Sequence, residues 1–194
     1  MGETNSRVDE ILDFWFGKPD EPSYGRKRSS WFIKNPQFDQ EVRLCFLKDY
    51  EHAIAGKLDY RKTPRSSLAL ILLLDQFPRN MFRGTAQAFA SDPQALAEAE
   101  QAVANGFDQE LLMVQRWFIY LPFEHSENLA HQRQSIQLFK ALGSDPENAL
   151  TIDYAIRHCA VIERFGRFPH RNKILGRETT PEEAEFLKQR GSSF

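Results

Sequence analysis

Apolar side chains recur every three to four residues along most of this chain, and no stretch sustains the period-two alternation of a half-buried strand. Val8, Ile11, Leu12 and Trp15 share one helical face that Gly17 terminates, with Ser6 read as the cap. Val42, Phe46, Tyr50 and Ile54 form a second face, ending at Gly56. Thr63-Pro64 reads as an N-cap followed by proline at the first helical position. Residues 68–74 are then apolar all round, so that helix belongs at the centre of the fold. Ser91-Asp92-Pro93 and Asp108 open two further helices, one spans roughly Ser126 to Leu142, and Ser144-Asp145-Pro146 starts another. Thr180-Pro181-Glu182-Glu183 is a capping box before Phe186 and Leu187. Seven or eight amphipathic helices joined by short turns predict an all-α chain of stacked antiparallel hairpins, with residues 1–194 as a single domain.

Composition narrows the function classes. Among 194 residues, 25 Lys and Arg face 27 Asp and Glu, a formal net charge of −2 that argues against a broadly basic nucleic-acid binder. Sixteen phenylalanines supply large apolar anchors for a core. Cys45 and Cys159 are far apart and form no disulfide framework or metal knuckle, which favours a reducing compartment. The longest apolar run, residues 68–74, is far short of the roughly 20 residues of a membrane span. The opening Met1-Gly2 stretch fits only a loose myristoylation pattern. These features predict a cytoplasmic protein that engages neither membrane nor nucleic acid. Residues 18–36 read as a long loop whose Tyr24, Arg26, Lys27, Arg28 and Trp31 form a solvated basic-aromatic run.

Three helices reach a proline, at Phe77-Pro78, Leu121-Pro122 and Phe168-Pro169, and are expected to stop there. Spacings of 44 and 47 residues between these points suit helix-pair repeats. Polar residues surround each one. Asp75, Arg79 and Asn80 flank the first, Glu124, His125 and Glu127 follow the second, and Arg167, His170, Arg171 and Asn172 surround the third. If the repeats stack in register, these groups converge along one edge, with Glu163 nearby. The arginines would offer bidentate forks to an anion or a peptide carboxylate, and Asn80 and Asn172 would orient it. The balanced charges equally suit an ion-pair network tying helix ends together.

Several stretches, Ile11-Leu12-Asp13-Phe14-Trp15-Phe16-Gly17, residues 70–80, residues 120–127 and residues 164–187, resemble a bacterial family called domain of unknown function nine-two-four. The resemblance implies a tetratricopeptide-like fold, a right-handed superhelix of helical hairpins. It implies no reaction, since fold alone supplies none.

The residues therefore support a helical-repeat binding or scaffold protein for a peptide or small anionic ligand. A second reading is a small-molecule enzyme with Glu124 or His125 in acid–base chemistry. A third makes the polar cluster purely structural, and a fourth packs a Phe-rich surface against another copy. Glu127 and His131, and likewise Tyr154 and His158, would share helix faces, but neither pair completes a metal motif, so no metal and no cofactor is expected. His158, between Ile156 and Ile162, reads as a hydrogen-bonded, semi-buried side chain.

Overall fold

A computed structural model describes residues 2–143 and 146–193, and all the regular structure among them is helical. The nine α-helices among the described residues are α1 (Gly2–Phe16), α2 (Pro36–Ile54), α3 (Pro64–Ile71), α4 (Phe77–Met81), α5 (Asp92–Ala104), α6 (Met113–His125), α7 (Leu129–Lys140), α8 (Pro146–Phe165) and α9 (Pro181–Leu187). They fall into two compact units, one of Met1–Arg83 with Gln87–Pro122, the other of Gly84–Ala86 with Phe123–Phe194. No described helix is long and apolar enough to cross a membrane.

The first unit is built around the predicted all-apolar helix. Leu68 to Leu74 are every one buried, as their sequence demands. An aromatic cluster packs nearby, with Trp15 edge-on to Phe118 at 5.7 Å and Phe46 against Phe77 at 4.9 Å between ring centres. The basic-aromatic run of the long loop is partly turned inward. Arg28 donates to the carbonyls of Phe14 and Trp15, and the Trp31 indole donates to Trp15 O, all at 2.9 Å. These side chains satisfy the orphan carbonyls at the end of α1, beside the expected glycine stop at Gly17 (φ +85°).

Two of the three expected proline stops are not stops. The helical run that begins at Pro64 passes through a π-helical segment, Leu72–Gln76, directly into α4, with Pro78 in its first turn. An α-helical ladder would pair the Leu74 carbonyl with the N–H that proline lacks. The Ser91 hydroxyl supplies the missing donor, reaching Leu74 O at 2.6 Å. That hydroxyl therefore makes no cap bond at the start of α5, although Ser91 does occupy the N-cap position. Pro122 lies inside α6, which continues to His125. Only the third proline follows a true break, where α8 ends at Phe165 and the chain turns at Gly166 (φ +68°). The 44- and 47-residue spacing thus joins three unlike local structures.

Smaller boundaries shift for local reasons. Helix α1 begins at Gly2, so Ser6 lies within it and caps nothing. Asp108 sits in a 3-10 turn, Phe107–Glu110, where its carboxylate accepts from the buried Tyr120 hydroxyl at 2.6 Å. Helix α7 starts later than expected, capped by Asn128 through Ala130 N at 2.8 Å. Ser144 and Asp145 lie outside the described residues, and α8 is described from Pro146. Both predicted capping signals at Thr63 and Thr180 are present as reciprocal capping boxes. In the second unit, α7 and α8 form an antiparallel hairpin. Asn148 bonds Leu142 O across its closed end, and Arg133 meets Glu163 at the other.

Arg79 binds this part of the first unit together. Its guanidinium lies 3.3 Å from the fully buried Asp75 and grips Asp92 at 2.8 and 3.1 Å. Arg79→Ala would strand a buried carboxylate, and the expected cost is about 3 kcal/mol of unfolding free energy in urea titration. A variant within about 0.5 kcal/mol of the parent would show the tether to be idle.

Candidate functional site

Ten residues were singled out by sequence, and the two units divide them. Asp75, Arg79 and Asn80 make their contacts within the first unit, where Asn80 donates to Asp39 at 2.8 Å and Arg79 is held by two carboxylates. Arg79 is thus engaged by its own protein's acids and does not present an open fork. Glu124, His125, Glu127, Arg167, His170, Arg171 and Asn172 belong to the second unit.

Three of those seven form a structural clamp. Glu127 accepts from Arg177 at 2.7 and 3.0 Å and from Phe168 N at 2.8 Å. Arg177 also donates to Asn172 Oδ1 and to Phe168 O, both at 3.0 Å. Arg167 grips Glu183 at 2.6 and 2.8 Å, and Asn172 donates to the same carboxylate at 3.2 Å. The segment between α8 and α9 is thereby stapled to the α6–α7 turn and to the first turn of α9. Glu127 precedes α7, so it shares no helix face with His131, whose Nδ1 instead lies 2.9 Å from Ser126 Oγ.

Of the remaining four, His170 and Arg171 lie against Phe168, while Glu124 lies beside a further residue, His158, whose charge His125 also influences. Although Pro122 occupies the last turn of α6, the helix runs on far enough to place Glu124 and His125 at its end. That end is closed by Gln132, whose amide donates to Glu124 O at 2.5 Å and Ser126 O at 2.7 Å. The clamp fixes Phe168, and the 3-10 turn Pro169–Arg171 then sets His170 and Arg171 beside its ring. Arg171 lies 4.5 Å over that ring, His170 is 5.6 Å from it, and His158 meets it edge-on at 5.5 Å.

His158 Nδ1 lies 2.8 Å from Tyr154 O and 3.0 Å from the buried Glu124 carboxylate. A carbonyl can only accept, so Nδ1 carries the proton and the lone pair of the neutral ring is on Nε2. Burial, reinforced by the positive field of His125, Arg171 and His170, pulls the His158 pKa down from 6.5 to about 3. The Tyr154 carbonyl opposes that shift without overcoming it. The hydrogen bond expected of His158 is the one to Tyr154 O, four residues back on the same helix, and the side chain is buried more fully than its sequence setting predicts. Arg177 stands in the Leu-Gly-Arg segment and Glu183 at the third position of a capping box, yet no local pattern marks their partners.

The Arg167 bonds hold the Glu183 carboxyl down at about 2, aided by Thr180 N–H and Asn172 against the cost of burial. Burial pushes Glu127 up, but its bonds from Arg177 and Phe168 N–H prevail and leave it below the usual range. Among the described residues no group of three His, Cys, Asp or Glu side chains is arranged to hold a metal ion.

Two windows of acid sensitivity follow. A histidine depressed from 6.5 to about 3 lets the unfolded chain bind the proton first, so stability declines as pH falls from 6.5 toward 3. Glu183 adds stability above about 4.5 that is lost as pH falls toward 2. Urea midpoints measured against pH should therefore drop between pH 6.5 and 4.5 in the parent, and His158→Gln should flatten that portion alone. An unchanged profile in that variant would mean His158 is not held neutral.

A model of the family described as "Bacterial protein of unknown function (DUF924)" matches residues 11–191. A solved structure of a protein of unknown function from Agrobacterium tumefaciens is 43% identical, covering 95% of this chain and 98% of that one, with a TM-score of 0.84. Comparison with curated proteins finds no match.

Proposed function

The chain belongs to the DUF924 family of bacterial proteins of unknown function, and on that footing we propose that its second unit binds a small, fully polar anion. Arg171 is the principal contact, with His125 and His170 beside it. One observation carries this reading. Two chain segments, the end of α6 and the Pro169–Arg171 turn, direct their cationic and imidazole groups onto a single buried histidine, and their field helps to keep it neutral. Burial does most to keep the ring neutral and favours a charge of neither sign, but the positive field that adds to it favours an anion.

Binding is favoured over proton transfer by the same histidine. A ring protonated only near pH 3 is a weak base at neutral pH, far from the matched pKa of general acid–base work. Glu127, Arg167 and Asn172 act as the scaffold of the site through the clamp they form. The repeat-type arrangement of stacked hairpins is part of this proposal, supported by the antiparallel α7–α8 pair. A cytoplasmic setting is supported by two unpaired thiols, Cys45 exposed and Cys159 buried.

Inorganic phosphate at about a hundred times its Kd should raise unfolding free energy by about 2.7 kcal/mol, and Arg171→Gln should abolish that gain. Phosphate, sulfate and succinate are the probes, read by calorimetric titration and thermal melts. If none of them binds, or if Arg171→Gln binds as the parent does, the reading fails.

A further inference from the structure

The second unit carries another feature, whose lining shares no residue with the clamp or the histidine cluster. A groove of about 360 Å³ runs beside the last turns of α8 and the C-terminal end of α9. Its floor is apolar, made by Val161, Phe165 and Phe186, and its lining includes Arg157, Arg164 and Arg190 but no acidic side chain. The floor is the outer edge of the core, since Phe165 and Phe186 pack on Val161, Ile162 and Phe168. The two rings meet at 5.1 Å, and the Arg164 guanidinium lies 4.7 Å over Phe165.

We propose that this groove is a binding site for an amphipathic carboxylate, whose apolar body lies on Phe165 and Phe186 and whose head meets Arg164 and Arg190. Charge complementarity decides the occupant. A neutral apolar ligand would leave three guanidiniums without a role, and a fully polar anion would leave the aromatic floor bare. A second copy of the chain would set arginines against arginines across a two-fold contact.

The arginines can accept such a head. Arg157 pairs with Asp153 and Arg164 with Glu182, but the four side chains are 57, 49, 50 and 63% exposed respectively. Exposed ion pairs of this kind hold weakly and exchange for a better-placed carboxylate. Among the described residues no carboxylate pairs with Arg190, which is exposed at the mouth of the groove. The volume lies at the lower end of small-molecule sites, enough for a medium-length alkyl chain or one ring system.

Octanoate, with 1-octanol as the uncharged control, tests this on the full chain by amide chemical-shift titration. Octanoate should shift the Phe186 and Arg190 signals saturably, and 1-octanol should bind about tenfold more weakly for want of a charge-assisted contact. Arg164→Gln and Arg190→Gln should each raise the octanoate Kd about fivefold while the melting temperature stays put, because both side chains are exposed. Arg171→Gln should leave octanoate binding unchanged, which separates this groove from the polar-anion site. Equal binding of alcohol and carboxylate, indifference to both arginine substitutions, or loss of octanoate binding in Arg171→Gln would overturn the proposal. So would concentration-dependent self-association that shifts the same signals without octanoate.

Discussion

The bidentate grip of Arg177 on Glu127 is the contact on which the second unit's arrangement rests. Phe168 sits at the only true helix break of the three prolines, where its carbonyl also accepts from Arg171 N at 3.1 Å. Glu127 takes its N–H, and Arg177 takes its carbonyl while also fixing Asn172. Every other position in the cluster follows from that one. The aromatic ring is placed by the backbone, Arg171 and His170 are placed by the ring, and His158 packs against its edge. Pairing both groups of a peptide unit matters more than the number of ion pairs, because a buried backbone group left unmade costs more than a made bond returns.

Much of the fold was legible because the relevant signals are local. Residues 68–74 are apolar on every side, so only burial on every side suits them, and that is where they lie. Thr63 and Thr180 announce helix starts because a hydroxyl three residues before a donor closes a capping box whatever the rest of the chain does. The prolines mislead for the opposite reason. Pro78 removes a donor, which ends a helix only if nothing else can serve the deprived carbonyl. Here the substitute is the hydroxyl of Ser91, which belongs to the next helix start, and the π-helical segment absorbs the residual strain. Nothing within four residues of Pro78 discloses either device.

The candidate site divides along the same line. Residue types around the prolines were informative: the arginines and carboxylates there do form networks, as a balanced charge pattern suggests. Which partners hold them was not legible. Arg79 and Arg167 look alike in sequence to Arg171, each standing one to three residues from a proline. The first two are taken up by Asp92 and Glu183, partners 13 and 16 residues distant. Only tertiary structure assigns such partners, so a sequence can nominate guanidinium groups but cannot name the carboxylates that hold them.

A buried histidine at the centre of this cluster is better understood as a spacer with a fixed tautomer than as an acid. Replacing it with a cation would place another positive charge beside Arg171, while replacing it with an apolar side chain would strip the buried Glu124 carboxylate of a donor. A neutral imidazole avoids both faults. It donates through Nδ1 to Tyr154 O of its own helix with the Glu124 carboxylate 3.0 Å away, and it adds no charge to a neighbourhood that already holds Arg171. The neutrality of His158 thus rests first on its burial, and the positive field of His125, Arg171 and His170 only adds to it.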